Sequence, residues 1–282
     1  MELIPGIATI IIALIVMFRL MHYAHFYAPS YFFWIGIIIS IIGVVSILEP
    51  LSFLFIRGGE EARCVAMGGF IICLASILWP AAVRKSPTSN QYIDKFLPDY
   101  AFNEVHTVRI KGTPDEIKSV LHVMGVKDIP IVHLLMKIRG IADEDVDMSD
   151  RASKSNSASD TFSTPDFNFF VLSDEEFITF MILKSSILIK SKVAAPPEVN
   201  SPEEFLGFQK PGYVKVAMNF KFDAAGNGET VLSTETRIHG TGRGDGQRFA
   251  RYWRIVYPGS AIIRRVWLDA IRKKAETSNK IN

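Results

Sequence analysis

The stretch YFFWIGIIISIIGVVSILEPLSFLF, residues 31–55, decides the architecture of this chain. Residues 31–48 contain no charged side chain. Because a helix rises about 1.5 Å per residue, roughly 20 such residues cross the hydrocarbon core of a bilayer, which is about 30 Å thick. The stretch therefore predicts a transmembrane helix. We interpret Glu49 and Pro50 as its interfacial end, although an ionisable group at membrane depth can also mark a functional site.

Apolar runs on both sides predict two further spans, at residues 3–18 and 64–83. The first run is shorter and carries Pro5. It has no basic segment before it and no Ala-x-Ala cleavage site, so it predicts a retained span rather than a signal peptide. Residues 1–85 are thus predicted to form a unit of three transmembrane helices.

Basic residues near the span ends set the expected orientation. Arg19, Arg84 and Lys85 share the side of the soluble domain, whereas Arg57 and Arg63 lie on the other side. Cytoplasmic segments carry an excess of lysine and arginine, so the count favours a cytoplasmic domain. We therefore expect a protein of the cell inner membrane with its soluble domain in the cytoplasm.

The third apolar run contains both cysteines of the chain, Cys64 and Cys73. The soluble part has none, so no disulfide framework holds it together, which fits a reducing compartment. The same run is rich in small residues, which favour close packing of membrane helices. These small residues are Ala66, Gly68, Gly69 and Ala75.

After the spans, residues 86–101 contain proline, serine, asparagine and charge, and are predicted to form a linker. Residues 102–110 alternate as a strand does. Residues 113–116, Thr-Pro-Asp-Glu, predict a helix start with a capping box, and a second helix is predicted at 130–139. The acidic and serine-rich residues 142–166 predict a flexible insert.

The rest of the soluble part predicts an α+β domain, residues 102–282. A hairpin is predicted around Asn227 and Gly228, with a connection longer than two residues, and a helical turn is predicted at 201–205. A long helical pattern at 247–275 is broken at Pro258, with Ser260 capping a new helix. Further strands are predicted at 169–172, 176–183, 186–192, 213–222 and 230–239. A curved antiparallel sheet around the final helix would enclose a cavity.

Six short motifs carry a family resemblance over residues 102–275. They are Ser201-Pro-Glu-Glu-Phe205, Lys210-Pro-Gly-Tyr213, Asn219-Phe-Lys-Phe222, Leu232-Ser-Thr-Glu-Thr-Arg237, Arg251-Tyr-Trp-Arg254 and Pro258-Gly-Ser260. With them the chain resembles poorly characterised bacterial members of the START/SRPBCC superfamily, which has the helix-grip or pollen-allergen-like fold. The resemblance implies a hydrophobic cavity for a lipid or another apolar small molecule. The insert at 142–166 and the texture of Phe177–Ile189 depart from the family pattern.

Four polar residues form the main candidate site. Glu104 and His106 interrupt an apolar strand face, and Glu235 and Arg237 share a face of the last strand. The resemblance implies that these two strands pair. If all four side chains face the cavity, they orient a polar ligand group or serve as acid and base.

The alternative for this site is a structural one. Glu235 and Arg237 would then face water as a weak cross-strand pair, and Thr234 and Thr236 would point inward.

Aromatic and basic residues of the final helical pattern complete the candidates. Tyr252 and Trp253 are candidate ligand contacts, with a place in the core as the alternative. A run of basic residues has anionic lipid headgroups as its candidate partner. This run comprises Arg264, Arg265, Arg272, Lys273 and Lys274.

Motifs for other functions are missing from the sequence. The histidines and cysteines show no metal-binding spacing, and no P-loop, dinucleotide fingerprint or Gly-x-Ser-x-Gly elbow occurs. We therefore expect no cofactor and no metal. A net charge of +2 supports no nucleic-acid partner.

These observations predict a membrane-tethered START-like domain that binds a hydrophobic or amphipathic ligand, such as a lipid, without covalent chemistry. One alternative is an enzyme of the cyclase or hydrolase type that uses Glu104, His106 or Glu235. Another alternative is a membrane-anchored interaction module whose cavity is filled by its own side chains.

Overall fold

The computed structural model describes residues 27–86, 92–124, 129–130, 161–163, 168–187, 194 and 196–278. The predicted span at 3–18 lies outside the described residues. So do most of the predicted helix at 130–139, most of the strand at 186–192 and most of the insert at 142–166.

The described part of the chain contains six α-helices and eight strands. The helices are α1 (Ala28–Leu48), α2 (Gly59–Leu78), α3 (Ile93–Phe96), α4 (Pro114–Val123), α5 (Pro202–Gly207) and α6 (Asp245–Ser278), with a 3-10 turn at Ser52–Leu54. The strands are β1 (Arg84–Lys85), β2 (Asp99–Tyr100), β3 (Phe102–Lys111), β4 (Thr161–Ser163), β5 (Asn168–Ser173), β6 (Glu176–Lys184), β7 (Tyr213–Gly226) and β8 (Glu229–Gly240).

The chain divides into two compact units. The first comprises residues up to Pro80 together with 250–258 of α6, and the second comprises 81–249 and 259–282. In the first unit, α1 and α2 are each long and apolar enough to cross a membrane. They correspond to two of the three predicted spans. Helix α1 ends at Leu48 with Glu49 exposed as its C-cap, which agrees with the interfacial interpretation of that residue.

Small residues allow α1 and α2 to pack closely. A β-carbon added to Gly43 or Gly69 would overlap the backbone of Ala66 or Ser40 on the opposite helix. A β-carbon added to Gly68, in contrast, would meet nothing within 4 Å. The predicted role of small residues is therefore confirmed for Gly69 and is wrong for Gly68.

Residues 250–258 of α6 belong to the first unit and contact the C-terminal end of α2. Arg254 is completely buried and donates hydrogen bonds to the carbonyls of Ile77 (3.1 Å) and Trp79. These carbonyls lie at the C-terminus of α2, where helical partners are missing and the helix dipole is negative. A buried arginine therefore caps the end of a predicted span.

The second unit is built on a six-stranded antiparallel sheet with the order β3-β8-β7-β6-β5-β4. Strands β7 and β8 are joined by two residues, Asn227 and Gly228, with φ values of 54° and 70°. Positive φ at both positions is the requirement of the tight hairpin turn that Asn-Gly favours. The prediction of a longer connection is wrong. Both strands continue toward the turn beyond the residues that alternate between apolar and polar.

Local capping signals are confirmed. Thr113 Oγ1 accepts a hydrogen bond from the amide of Glu116, whose carboxylate accepts one from the amide of Thr113 at 2.7 Å. Ser201 caps α5 in the same way through the amide of Glu204.

Helix α6 runs unbroken for 34 residues, so the predicted break at Pro258 is wrong. Proline removes one hydrogen bond and disturbs one turn of a helix, but packing on both sides can keep the helix continuous. Ser260 consequently lies inside a helix and caps nothing.

Both faces of the sheet are covered. The inner face packs against the C-terminal part of α6, where Phe220 meets Trp267 with ring centroids 5.3 Å apart. The outer face is covered by α3 and α5, with Ile93 and Phe205 fully buried. The predicted linker is therefore partly wrong, because residues 92–101 belong to the folded domain.

The predicted insert also contains structure. Strand β4 falls inside residues 142–166 and pairs with β5, with Phe162 opposite Phe169. Flanking polar residues hid this short strand from the sequence pattern.

Candidate functional site

Strand register places the four predicted site residues on opposite faces of the sheet. Strand β3 pairs with β8 as expected, but Glu104 lies opposite Thr236 and His106 lies opposite Thr234. Directly paired residues of antiparallel strands share a face. Glu104 and His106 therefore belong to the inner face, whereas Glu235 and Arg237 belong to the outer face. The prediction that all four line one cavity is wrong.

The structural alternative was partly right. Thr234 and Thr236 do lie on the inner face beside His106 and Glu104. Glu235 and Arg237, however, do not face water, because their exposed fractions are 8% and 2%.

A buried polar cluster occupies the inner face. Glu104 is 3% exposed, and its Oε1 lies 2.8 Å from Nε2 of His106. Its Oε2 accepts a hydrogen bond of 3.0 Å from the hydroxyl of Ser260. We call Glu104, His106, Ser260 and Thr234 the inner cluster. Ser260 was not predicted as a site residue, because the sequence suggested a helix cap there.

One member of the inner cluster is unsatisfied. Thr234 is 2% exposed, and its hydroxyl has no hydrogen-bond partner in the part of the chain that the structure describes. The ring of His106 makes its one described hydrogen bond through Nε2, so Nδ1, which is not fully buried, is open to a further partner. A buried polar group without a partner costs about 1–3 kcal/mol, so such groups are infrequent in native cores.

The inner cluster lacks the geometry of a serine nucleophile. In a catalytic serine pair the hydroxyl donates to the histidine that removes its proton. Here the hydroxyl of Ser260 donates to Glu104, and His106 contacts the other oxygen of the same carboxylate. The arrangement is suited to holding a polar group in place.

Arg237 is the centre of a second polar network, on the outer face. Its guanidinium donates to Glu235 at 2.6 Å, to Asp94 at 2.5 Å, to the carbonyl of Leu97 at 3.1 Å and to Ser86 at 3.3 Å. Burial by itself lowers the pKa of Arg237, but the hydrogen bonds and charges of Glu235 and Asp94 outweigh it and raise that pKa above its ordinary value. Arg237 thereby holds the segment before β3 on the sheet.

This outer network extends across four strands. Asn103 donates to the carboxylate of Glu235 at 2.5 Å, and the amide of Glu235 donates to the side-chain oxygen of Asn219 at 2.8 Å. Asn219 in turn donates to Glu176 at 2.7 Å. Because each of these polar groups has a partner, the outer network is a structural feature of the sheet.

The buried Lys215 and the half-buried His239 form a third polar pair, which the sequence pattern did not reveal. They lie opposite each other on β7 and β8, and Lys215 donates to the carbonyl of Leu206 at 3.1 Å. Burial lowers the pKa of Lys215. Burial also lowers the pKa of His239, and the charge of Lys215 adds to that shift while Asp99 opposes it. The only sequence signal was a lysine between apolar residues of a strand.

Tyr252 and Trp253 lie in the first compact unit. Both are buried, and the ring of Trp253 lies 5.6 Å from that of Tyr257. The carbonyl of Trp253 accepts a hydrogen bond of 3.4 Å from Ser30. These contacts agree with the interpretation of Trp253 as a core residue.

The predicted basic run is partly neutralised within α6. Asp269 pairs with Arg272 and, at 2.8 Å, with Lys273. The hydrogen bond from Lys273 is the main reason why the pKa of Asp269 is lowered, and Arg272 adds to it. Arg264 stacks on the ring of Trp267 at 5.8 Å. Arg264, Arg272 and Lys273 thus have partners within the helix.

Comparison with known proteins leaves the family open. No family model matches the chain, and no curated protein matches it. A hypothetical protein from Helicobacter pylori aligns with 68% of this chain and 99% of its own length, at 11% identity and a TM-score of 0.32. A conserved protein from Geobacillus kaustophilus aligns with 63% of this chain and 97% of its own length, at 13% identity and a TM-score of 0.26. At these TM-scores neither likeness supports an assignment.

Proposed function

We propose that the chain is an integral membrane protein anchored by α1 and α2. In the most apolar 18 residues of α1 and α2, only 17% and 22% of the residues are buried, so these helices differ from the core helices of a soluble protein. Large side chains such as Ile41 (56% exposed) and Phe70 (63% exposed) face outward. Exposed apolar surface of this extent is stabilised by lipid.

Aromatic residues support the same proposal. Trp34 lies near the start of α1 and Trp79 directly follows α2, and both are exposed. Because Gly43 packs on Ala66 and Gly36 packs on Cys73, the helices are antiparallel and both tryptophans lie at the same end. Tryptophan is enriched at membrane interfaces. Arg84 and Lys85 follow this end, which favours the cytoplasm of an inner membrane as its side.

We further propose that the soluble domain binds an amphipathic ligand between the inner face and α6, without covalent chemistry. The observation that carries this proposal is the inner cluster, whose Thr234 hydroxyl is buried and has no described partner. Apolar side chains continue from the cluster along the inner face, among them Met218 and Phe220. The polar end of a ligand would lie at the cluster and its chain along these side chains. The resemblance to the START/SRPBCC superfamily agrees with this proposal.

Photo-crosslinking tests this function. The full chain would be reconstituted in lipid nanodiscs with C16 alkyl probes that carry a diazirine in the chain and a hydroxyl, carboxylate or phosphate at the end. Labelling of α1 and α2 is expected from any membrane protein and serves as the internal control. The proposal requires labelling at inner-face residues such as Met218 and Thr234, and little labelling at their outer-face neighbours Asn219 and Glu235. Labels confined to α1 and α2 for every probe would refute it.

A filled interaction module is the second candidate function. Phe220 packs between Phe169 and Trp267, with ring centroids 5.5 Å and 5.3 Å away. Phe177 and Phe222 lie 5.5 Å apart in the same core. Aromatic side chains that occupy this space themselves would leave no room for an alkyl chain, and the soluble domain would then remain unlabelled by all three probes.

The membrane anchor has its own test. Alkaline carbonate extraction of cell membranes should leave the full chain in the pellet, and release into the supernatant would contradict the anchor. Gly69→Leu should lower the thermal stability of the detergent-solubilised chain, because any side chain at this position meets Ser40. Gly68→Leu is the matched control, since its side chain would point into open space.

A further inference from the structure

We infer that the inner cluster selects a ligand whose polar end is an uncharged hydroxyl, as in a long-chain alcohol or a monohydroxylated lipid, over a carboxylate or a phosphate. This inference rests on the proposed function and specifies the chemistry of its ligand. It follows from two properties of the cluster, the unused hydrogen-bonding atoms and the distribution of charge.

The unused atoms comprise one donor and one acceptor. A carboxylate only accepts hydrogen bonds, so Nε2 of His106 carries the hydrogen that Glu104 receives. In the neutral ring Nδ1 is then an acceptor. The hydroxyl of Thr234 has no described partner and supplies a donor.

These two atoms can be joined by one ligand oxygen. His106 and Thr234 are directly paired across β3 and β8. Side chains in such a pair start about 4.5–5.5 Å apart, a gap that a single hydroxyl can bridge. The ligand hydroxyl would donate to Nδ1 of His106 and accept from Thr234. A carboxylate or phosphate oxygen without a hydrogen satisfies Thr234 only.

Charge on the inner face also disfavours an anion. Among the described residues that are buried there, Glu104 and His106 are the ionisable ones. The buried cations Arg237 and Lys215 belong to the opposite face, and the sheet separates them from the cluster. An anionic headgroup held at Thr234 would therefore lie close to the Glu104 carboxylate, and repulsion between like charges is unfavourable in a buried site.

A matched series of ligands tests this inference in the wild-type chain. Photoactivatable hexadecanol, palmitic acid and hexadecyl phosphate have the same chain and differ at the polar end. The full chain in nanodiscs at pH 8 would be labelled with each probe at the same membrane concentration. We expect labelling of inner-face residues in 213–240 to be about tenfold stronger with the alcohol, because a buried anion is repelled by the nearby Glu104 carboxylate.

Variants then assign the selectivity to particular atoms. Glu104→Gln keeps the shape and removes the charge, so labelling by the acid should rise at least severalfold relative to the alcohol. Thr234→Val removes the donor and should lower labelling by the alcohol about three- to tenfold, the usual effect of one hydrogen bond. Thr107→Val, at an exposed position on β3, is the matched control and should change nothing.

The outcomes separate the inference from the proposed function. If the acid or the phosphate labels the inner face as strongly as the alcohol does, the inference is overturned and the proposed function stands. If no probe labels the inner face while all label α1 and α2, both are overturned. Circular dichroism would show whether each variant is folded, and the wild-type series decides the question even if Glu104→Gln does not fold.

Discussion

On the outer face of the sheet, Arg237 donates hydrogen bonds to Glu235, Asp94, Ser86 and the carbonyl of Leu97. On the inner face, a few ångströms away through the same strand, the buried hydroxyl of Thr234 donates to nothing in the described structure. Both networks combine buried charge with neutral hydrogen-bonding groups. They differ in how completely their members are satisfied.

This difference separates a structural network from a candidate site. A fully partnered polar network adds rigidity and specifies one arrangement of the chain. An unpartnered polar atom lowers stability, so its presence in a core calls for another explanation, such as a ligand that supplies the missing partner. The charged residues Glu235 and Arg237 thus have a structural role, and the neutral Thr234 marks the candidate site.

Arg237→Ala should produce the largest effect. It would leave the buried Glu235 and the half-buried Asp94 without their cation, and the loss of one partner of a buried ion pair costs about 3–5 kcal/mol. Denaturant unfolding of the full chain in detergent would measure it. Arg109→Ala is the control, because Arg109 pairs with Glu229 at 3.0 Å with 62% of its side chain exposed. Its loss should cost less than about 1 kcal/mol. Equal costs at the two positions would remove the structural role of the outer network.

Ser260→Ala should have a smaller effect on the inner cluster. It removes one hydrogen bond to the buried carboxylate of Glu104, and a hydrogen bond to a charged group contributes about 1.5–3 kcal/mol. The same unfolding experiment would measure the loss. Ser119→Ala, an exposed helical serine that donates to the carbonyl of Asp115, should change stability by less than about 0.5 kcal/mol. A cost at Ser260 as small as that at Ser119 would show that the contact with Glu104 contributes little.

His239, which lies on the outer face, should make the free energy of unfolding depend on pH. Burial lowers its pKa in the folded state below the unfolded value of about 6.5. Protons therefore bind His239 more readily in the unfolded chain. The stabilising contribution of neutral His239 is present above about pH 6.5 and is lost as the pH falls through the pKa of the folded state. Comparing unfolding at pH 7.5 and pH 5 should show a smaller decrease in His239→Gln than in the wild type. The control is His122→Gln, at an exposed position on α4, and an unchanged pH dependence in His239→Gln would contradict the assignment.

Thr234→Val should have the smallest effect on stability, close to zero or slightly stabilising, because the lost hydroxyl has no partner among the described residues. Thr230→Val is the matched control. Thr230 lies on the same face of β8, is fully buried and donates to the carbonyl of Gly112 at 2.7 Å. Its replacement should cost about 1 kcal/mol in the same unfolding experiment. A similar cost at Thr234 would mean that its hydroxyl has a partner after all.

Local signals predicted much of the fold. The capping box at Thr113, the Asn227-Gly228 turn and the period-two strands were predicted because each depends on residues within a few positions of one another. The two described apolar helices were predicted because length and composition are sufficient to recognise them. Helix boundaries were less accurate, as α2 begins at Gly59 and not at residue 64.

The candidate site was predicted only in part. Alternation correctly placed Glu104 with His106 and Glu235 with Arg237, but it did not show which pairs share a face of the sheet. A shift of one residue in register reverses that outcome. Both faces of this sheet are covered, so the apolar pattern of the separate strands does not show which face is which. Ser260 was missed as a member of the site because its partner Glu104 lies 156 residues away.

The sequence by itself indicated two apolar helices, the long strands, the caps at Thr113 and Ser201 and the position of the hairpin at Asn227-Gly228, because short-range geometry and hydrophobicity decide them. The tertiary structure alone decided that Arg237 is buried under residues 92–101. It also decided that Thr234 lies beside His106, where its hydroxyl has no hydrogen-bond partner in the described part of the chain. The physical reason is that burial and hydrogen-bond partners depend on strand register and on packing between segments far apart in the chain. Residues that look alike in the sequence therefore differ in role according to the face of the sheet on which they lie.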